Sequence, residues 1–398
     1  MLLKEGITLH PYDKNQWVLH IANGRNFIIS EEMQCMLAVL QNSDTIIQAH
    51  ERYKFVSSQS LSYLEFEYLV LKKLKGYDIL AADTSQIARP KDYMWFKLKI
   101  IPPHFLEKLS VIFQPLLIPS FFWIILPLVS ICGLMSYFLL PSDALAAPSN
   151  YYFILLLTAV LPISHELGHI AACTRLRIPT GGIGIGMYMF WPVLYADISQ
   201  IWIASKEHRI IANLAGVYMQ LIIGVILVAC YLLSQNLIFV TVAKFNILIA
   251  AWQLFPFMRH DGYWVLSDGL GIPNLMAKSD VTLFNFIKSP KVILNKPFNK
   301  FLILYGLLNN ALLTYFIYNG FVMYFDTVKE IPIALYTSII TYISTNTITL
   351  PNLEWKWLYA ILFYLSMYSM IVKILKIIYK KIFRKGDAVL NQADAVTF

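Results

Sequence analysis

The sequence predicts a mainly α, polytopic helical membrane protein that begins with a small winged-helix-like α+β domain. Three observations predict it. Of the 398 residues, 58% are hydrophobic and 14% charged, against roughly 45–50% and 25% in a soluble domain. Apolar runs of membrane-spanning length recur after residue 115, with basic residues concentrated between them. The first 85 residues, in contrast, have an ordinary soluble composition. The net charge of +8 is explained by basic flanks of apolar segments, so a nucleic-acid partner is not expected. The four cysteines, Cys35, Cys132, Cys173 and Cys230, show no paired spacing, which predicts neither a disulfide framework nor a cysteine metal site. No charged start followed by a short apolar core opens the chain, so the N-terminus is expected not to be exported.

Residues 1–85 divide into strands and then helices. Ile7 to Tyr12 and Trp17 to Ala22 have strand character, Asn23-Gly24 is a two-residue hairpin signal, and Arg25 to Ile29 returns as the partner strand. Ser30 is placed to cap a helix that has Glu31 and Glu32 in its first turn and Met33, Met36, Leu37 and Leu40 on one face. Further helices are predicted near Asp44 to Tyr53 and from Leu61 to Leu74, the last with Leu64, Leu71 and Leu74 as its apolar repeat. Residues 86–115 are basic and aromatic (Arg89, Lys91, Lys97, Lys99 and Lys108 beside Trp95 and Phe96) and are predicted as a linker on the membrane surface, in contact with lipid.

Residues 116–385 are predicted to hold about six spanning helices, at 116–140, 150–173, 209–233, 237–257, 300–325 and 357–379. Pro332 to Ile343 is apolar but short and rich in Thr and Ser, which predicts a re-entrant or surface segment. Residues 386–398 form a polar tail. The Lys- and Arg-rich segments fall on one side of this arrangement, which places both termini in the cytoplasm of a multi-pass protein, most naturally in a bacterial plasma membrane.

The second apolar run contains His165-Glu166-Leu167-Gly168-His169. Histidines four apart stand on one helix face and can reach one metal ion, while Glu166 points aside towards water. Ionisable groups at membrane depth are costly and usually functional. A catalytic zinc site needs a third protein ligand. The best candidate is Asp261, at the cytoplasmic end of the fourth predicted span and therefore at the depth of His169. Pro256 would end that helix and Gly262 would let the chain turn inward. His260 is the second candidate. Asp268 is expected as a cap or salt-bridge partner. The run Gly181 to Gly186 lacks the Lys-Ser/Thr of a phosphate loop.

A helical HExxH with an Asp-Gly in a later span resembles the site-2 protease family of intramembrane zinc metalloproteases. "DGYWVLSDGLGIPNL" is similar to its peptide zinc metalloprotease branch, and the likeness covers residues 110–275. It implies one Zn²⁺ per chain on His165, His169 and Asp261, with Glu166 as general base. It also implies a membrane-associated strand or hairpin from Ile183 to Asp197, whose edge pairs with an extended substrate. The family commonly has Asn-Pro before Asp-Gly, where this chain has Phe255-Pro256. Asn246, Gln253 or Asn213 are candidates to replace that Asn on the substrate, with Asn246 taken forward. "ITLHPYDKNQWVLHIANGRNFIISEE" resembles the start of PqqD-like leader-peptide recognition domains. That likeness implies a leader-binding groove lined near Arg25, Phe27 and Ile29 and by residues 64–71.

The function these resemblances imply is cleavage of a peptide, as leader removal or maturation of a ribosomally made modified peptide, with peptide-modifying enzymes or an exporter as partners. Two alternatives stand beside it: regulated proteolysis of a transmembrane regulator, and a non-catalytic peptide-binding or immunity-type membrane protein.

Overall fold

In the computed structural model the description covers residues 2–81 (except 14, 22–24, 58–60, 76 and 78), 94, 96–141, 151–345 (except 189–190 and 295–296) and isolated residues between 364 and 375. The protein is mainly helical. It divides into two compact units, one of residues 1–91, 99–184 and 194–275, the other of 92–98, 185–193 and 276–398.

The first unit begins with a three-stranded antiparallel sheet in the order β1 (Ile7–Asp13), β2 (Gln16–Ile21), β3 (Arg25–Ser30). Three helices follow, α1 (Glu31–Gln41), α2 (Ile46–Val56) and α3 (Tyr63–Lys75). Ser30 caps α1 as expected, its Oγ accepting from the Met33 N–H at 3.3 Å, and Met36, Leu37 and Leu40 are buried. Of the predicted apolar repeat of α3, Leu74 is buried but Leu64 and Leu71 are not. Phe66, Val70 and Leu74 enter the core, whereas Leu64, Tyr68 and Leu71 form an exposed stripe. The larger aromatic and the β-branched residue win the inward positions, and i, i+4 spacing then turns Leu64 outward with Tyr68. The Asn23-Gly24 turn lies outside the described residues.

The expected linker carries regular structure: β4 (Phe96–Ile101), α4 (Pro103–Ser110) and a 3₁₀ turn at Val111–Leu117. α4 packs against the second long helix, so this stretch is part of the fold. A second three-stranded sheet has the order β4, β5 (Ile183–Tyr188), β6 (Trp191–Ala196).

The remaining helices of the first unit are α5 (Pro119–Leu139), α6 (Tyr151–Arg175), α7 (Lys206–Ser234), α8 (Leu237–Gln253) and α9 (Asp261–Gly269). α6 packs most extensively on α7. Their contact is made of small residues: Gly168 of α6 lies directly against the backbone of Ala215 in α7, the close approach used between helices in membranes.

Four helices among the described residues are long and apolar enough to cross a membrane: Pro119–Leu139, Leu156–Arg175, Lys206–Ser234 and Pro297–Asn319. Two differences from expectation, one in the six spans and one in the segment expected to be re-entrant, have physical causes. α8 has 17 residues, or roughly 26 Å at 1.5 Å per residue, short of a ~30 Å hydrocarbon core. It ends at Gln253, where the chain enters a turn with Met258 and Arg259 at φ 58° and 59°. The second unit holds α10 (Leu275–Lys288), α11 (Pro290–Leu294) and α12 (Pro297–Thr345). α12 runs as one 49-residue helix through the segment expected to be re-entrant. Its polar residues do not break it because their hydroxyls return to its own carbonyls, Thr337 Oγ1 to Ile333 O at 2.8 Å and Thr341 Oγ1 to Thr337 O at 2.8 Å. The span expected at 357–379 lies largely outside the described residues.

Candidate metal centre

His165 and His169 occur one helical turn apart on α6 and are 3% and 6% exposed. α6 passes through Pro162 and presents this face to α7. His169 Nδ1 lies 2.7 Å from the Ala212 carbonyl oxygen and His165 Nδ1 3.0 Å from Gln220 Oε1. A carbonyl oxygen only accepts, so each imidazole carries its proton on Nδ1 and turns the lone pair of Nε2 inward. Asn246, fully buried on α8, donates from Nδ2 to the Gln220 backbone carbonyl at 2.7 Å.

Asp261 arrives from the turn after α8. With Gly262 tucked against the backbone of Leu254, the first turn of α9 is brought in, a position with no room for a side chain. Asp261 Oδ2 then lies 2.9 Å from His165 Nε2 and 3.4 Å from His169 Nε2, and the two Nε2 atoms are 3.1 Å apart. Burial acts to raise the Asp261 carboxyl, but His169 and His165 outweigh it and hold the group well below the usual carboxylate range.

Three lone-pair-bearing atoms thus converge in a buried place. Among the described residues these three side chains form the group able to hold a metal ion. Zinc bonds of ~2.0–2.1 Å at tetrahedral angles set donors about 3.3 Å apart, and the observed separations of 2.9, 3.1 and 3.4 Å bracket that value. Gly216 of α7 borders both imidazoles. A Cβ there would lie 2.5 Å from His169 Nε2 and 2.7 Å from His165 Nε2, so glycine keeps the space clear. The residues fit the ion that the motif implies.

Glu166, 8% exposed, lies within electrostatic reach of all three donors, with the Ala196 backbone N–H at the end of β6 close enough to favour its charged form. It is oriented beside the group without joining it. His260 does not join either. Its ring packs edge-on against Trp252 at 5.4 Å, and burial lowers its pKa while Asp261 pulls the other way.

The residues proposed for substrate contact fare differently. Asn246 backs the Gln220 segment from inside the bundle and is not exposed to a substrate. Asn213 binds Asp268 instead. Arg25, Phe27 and Ile29 share one face of β3, but that face looks into the domain: Ile29 is 4% exposed, and Phe27 packs edge-on against Tyr77 at 5.0 Å. Strand alternation sends all three the same way, so peptide contact there would come from the backbone edge. Asp268 is the salt-bridge partner expected, with Arg209 Nε donating at 2.7 Å. Sequence reasoning missed Ala212, Gly216 and Gln220. Their signal was the small-residue stretch Ala212 to Gly216 in an apolar helix, followed by a lone Gln.

These features define a class: a helical protein with membrane-length helices and a buried His₂-carboxylate group of metal-ligand spacing. No protein-family model, no characterised protein and no solved structure matches the chain.

Proposed function

We propose that this protein is an intramembrane zinc metalloprotease of the site-2 protease type that cleaves a peptide held in extended form, removing a leader or maturing a ribosomally made peptide. The observation that carries the reading is the convergence of His165 Nε2, His169 Nε2 and Asp261 Oδ2 on one buried point beside Glu166. The chemistry that a zinc ion supplies when bound by these three side chains is Lewis acidity, which polarises a peptide carbonyl and acidifies water near neutral pH.

The chain's own groups do the rest. A Glu166 carboxylate oxygen takes a proton from water as the water oxygen attacks the carbonyl carbon. It then gives that proton to the amide nitrogen as the C–N bond breaks. The nearby Ala196 N–H favours the carboxylate form that takes the first proton. β6 is an edge strand, and an extended substrate added to that edge would run towards Glu166 with its amides satisfied.

The N-terminal domain supports a peptide substrate through two features: β3 is an edge strand, and α3 exposes Leu64, Tyr68 and Leu71. In this reading the domain is a winged-helix-like leader-binding module. Membrane-crossing helices with both termini cytoplasmic complete the topology, in a bacterial plasma membrane. The test is zinc content and peptide cleavage for the unaltered protein, Glu166→Gln and Asp261→Ala. Zinc held by the first two and lost from the third, with cleavage lost from both variants, supports the reading. Cleavage unaffected by Glu166→Gln overturns it.

A further inference from the structure

We propose that Arg209 is a positioning residue for the third metal ligand, and that the N-terminal domain engages it through Tyr12, so that the seating of that domain sets the position of Asp261. The inference rests on reading Asp261 as a ligand and goes beyond it to what holds Asp261 in place.

The proposed third ligand sits on α9. This helix has nine residues, begins at Asp261 and has Asp268 near its end. One anchor is therefore the proposed metal group and the other is Asp268. Both oxygens of Asp268 are engaged by α7: Oδ1 accepts from Arg209 Nε at 2.7 Å and Oδ2 from Asn213 Nδ2 at 2.8 Å. Arg209 Nη1 donates to the Ala204 carbonyl at 2.9 Å. The pair is dry, with Arg209 1% and Asp268 4% exposed. Burial raises the Asp268 carboxyl, and Arg209 opposes that shift. A buried ion pair contributes little net stability over an apolar pair, but it fixes one geometry because neither charge tolerates a misplaced partner. Here the geometry fixed is the axial position of α9 along α7, and α7 also backs both histidines through Ala212, Gly216 and Gln220.

The N-terminal domain covers the guanidinium. Tyr12 of β1, 3% exposed, places its ring 4.1 Å from Arg209 Cζ. The same ring stacks on Trp202 at 6.1 Å and 18°, and Trp202 meets Trp264 of α9 edge-on at 6.4 Å. Asn26 of β3 adds a donor to the Ser199 carbonyl at 3.4 Å, in the turn leading to α7. The N-terminal domain thus reaches α9 by two routes, one through the Arg209–Asp268 pair and one through the Trp202–Trp264 edge. Removing the Tyr12 ring would admit water to the pair and weaken it, since Coulomb attraction falls as the local dielectric rises. A peptide that shifted the domain would act on the same contact. Contiguity alone does not prove coupling, so the test measures the coupling.

The experiment uses the full chain in detergent and compares Tyr12→Ala, Tyr12→Phe and Arg209→Lys with the unaltered protein. Hydrogen exchange of residues 261–270 is read without metal, zinc affinity by chelator competition, and ligand geometry from the visible spectrum of the Co²⁺-loaded protein. Tyr12→Ala and Arg209→Lys are expected to speed exchange at 261–270, weaken zinc roughly 10-fold and alter the cobalt spectrum. Tyr12→Phe, which keeps the ring face, should match the unaltered protein in all three. Protection of residues 16–21 and 31–41 shows that the N-terminal domain is still folded in each variant. Unchanged exchange at 261–270 in Tyr12→Ala, or an unchanged zinc affinity and cobalt spectrum, overturns the proposal. Failure of the unaltered protein to bind zinc overturns the metal reading instead, and the exchange data still decide whether Tyr12 and Arg209 hold α9.

Discussion

Gly216 of α7 stands so close to His169 of α6 that a methyl group in place of its hydrogen would lie 2.5 Å from Nε2. The same space borders Nε2 of His165 at 2.7 Å. Gly216→Ala is therefore expected to lower zinc affinity by more than the roughly 100-fold typical of outer-sphere changes. Alanine favours a helix over glycine by about 1 kcal/mol while displacing the buried imidazoles costs about 1–3 kcal/mol, so metal-free stability is expected to fall by no more than about 2 kcal/mol. A variant with reduced helix content and weak zinc binding would instead indicate a damaged α6–α7 contact.

The second expectation concerns Gln220. Its Oε1 is the partner of His165 Nδ1 and so keeps Nε2 free to coordinate. Gln220→Leu should lower zinc affinity by about 10–100-fold, and Gln220→Glu, which restores an acceptor, should recover most of the loss. Competition against a chelator of known affinity provides the measurement.

The Arg209–Asp268 pair makes a third, independent prediction. Arg209→Met leaves a buried carboxylate without its cation, a loss of about 3–5 kcal/mol, whereas Arg209→Met with Asp268→Leu should recover much of that stability. Unfolding of the full chain in mixed micelles distinguishes the two. Equal losses in the single and double variants would mean that packing, and not charge, dominates there.

A fourth prediction tests the N-terminal domain alone. Ser30 Oγ satisfies one of the free N–H groups that open α1. Ser30→Ala should lower the local stability of residues 31–41 by about 1 kcal/mol, seen as faster hydrogen exchange there, and leave metal affinity unchanged.

The parts of this structure legible in the sequence were those written in local spacing. His165, Glu166 and His169 are separated by helical periods, the Ser30 cap precedes its helix directly, and Asp261, chosen from the Asp-Gly after the next apolar run but one, does lie beside both histidines. What escaped depends on partners distant in sequence. Nothing near Gly216 says which histidines face it, and Tyr12 is nearly two hundred residues from Arg209. On α3, Leu74 was placed correctly but Leu64 was preferred to Phe66, because the two are equally apolar to a pattern and only the shape of the core separates them. α12 was broken too early because Thr and Ser count as polar, while their hydroxyls bond to their own helix.

Arg209, Ala212, Gly216 and Gln220 lie along one side of α7 and serve four different ends: the ion pair, the His169 contact, the cleared space and the His165 contact. A helix turns about 100° per residue, so these roles share a single rotational phase. Exchange of any one residue changes one function. Insertion or deletion of one residue between them would swing part of the set about a quarter turn towards lipid or another neighbour, and several functions would fail together. Point changes along this stretch are therefore open to evolution one at a time, while changes of length are closed to it, and α7 acts as the ruler against which the rest of the site is measured.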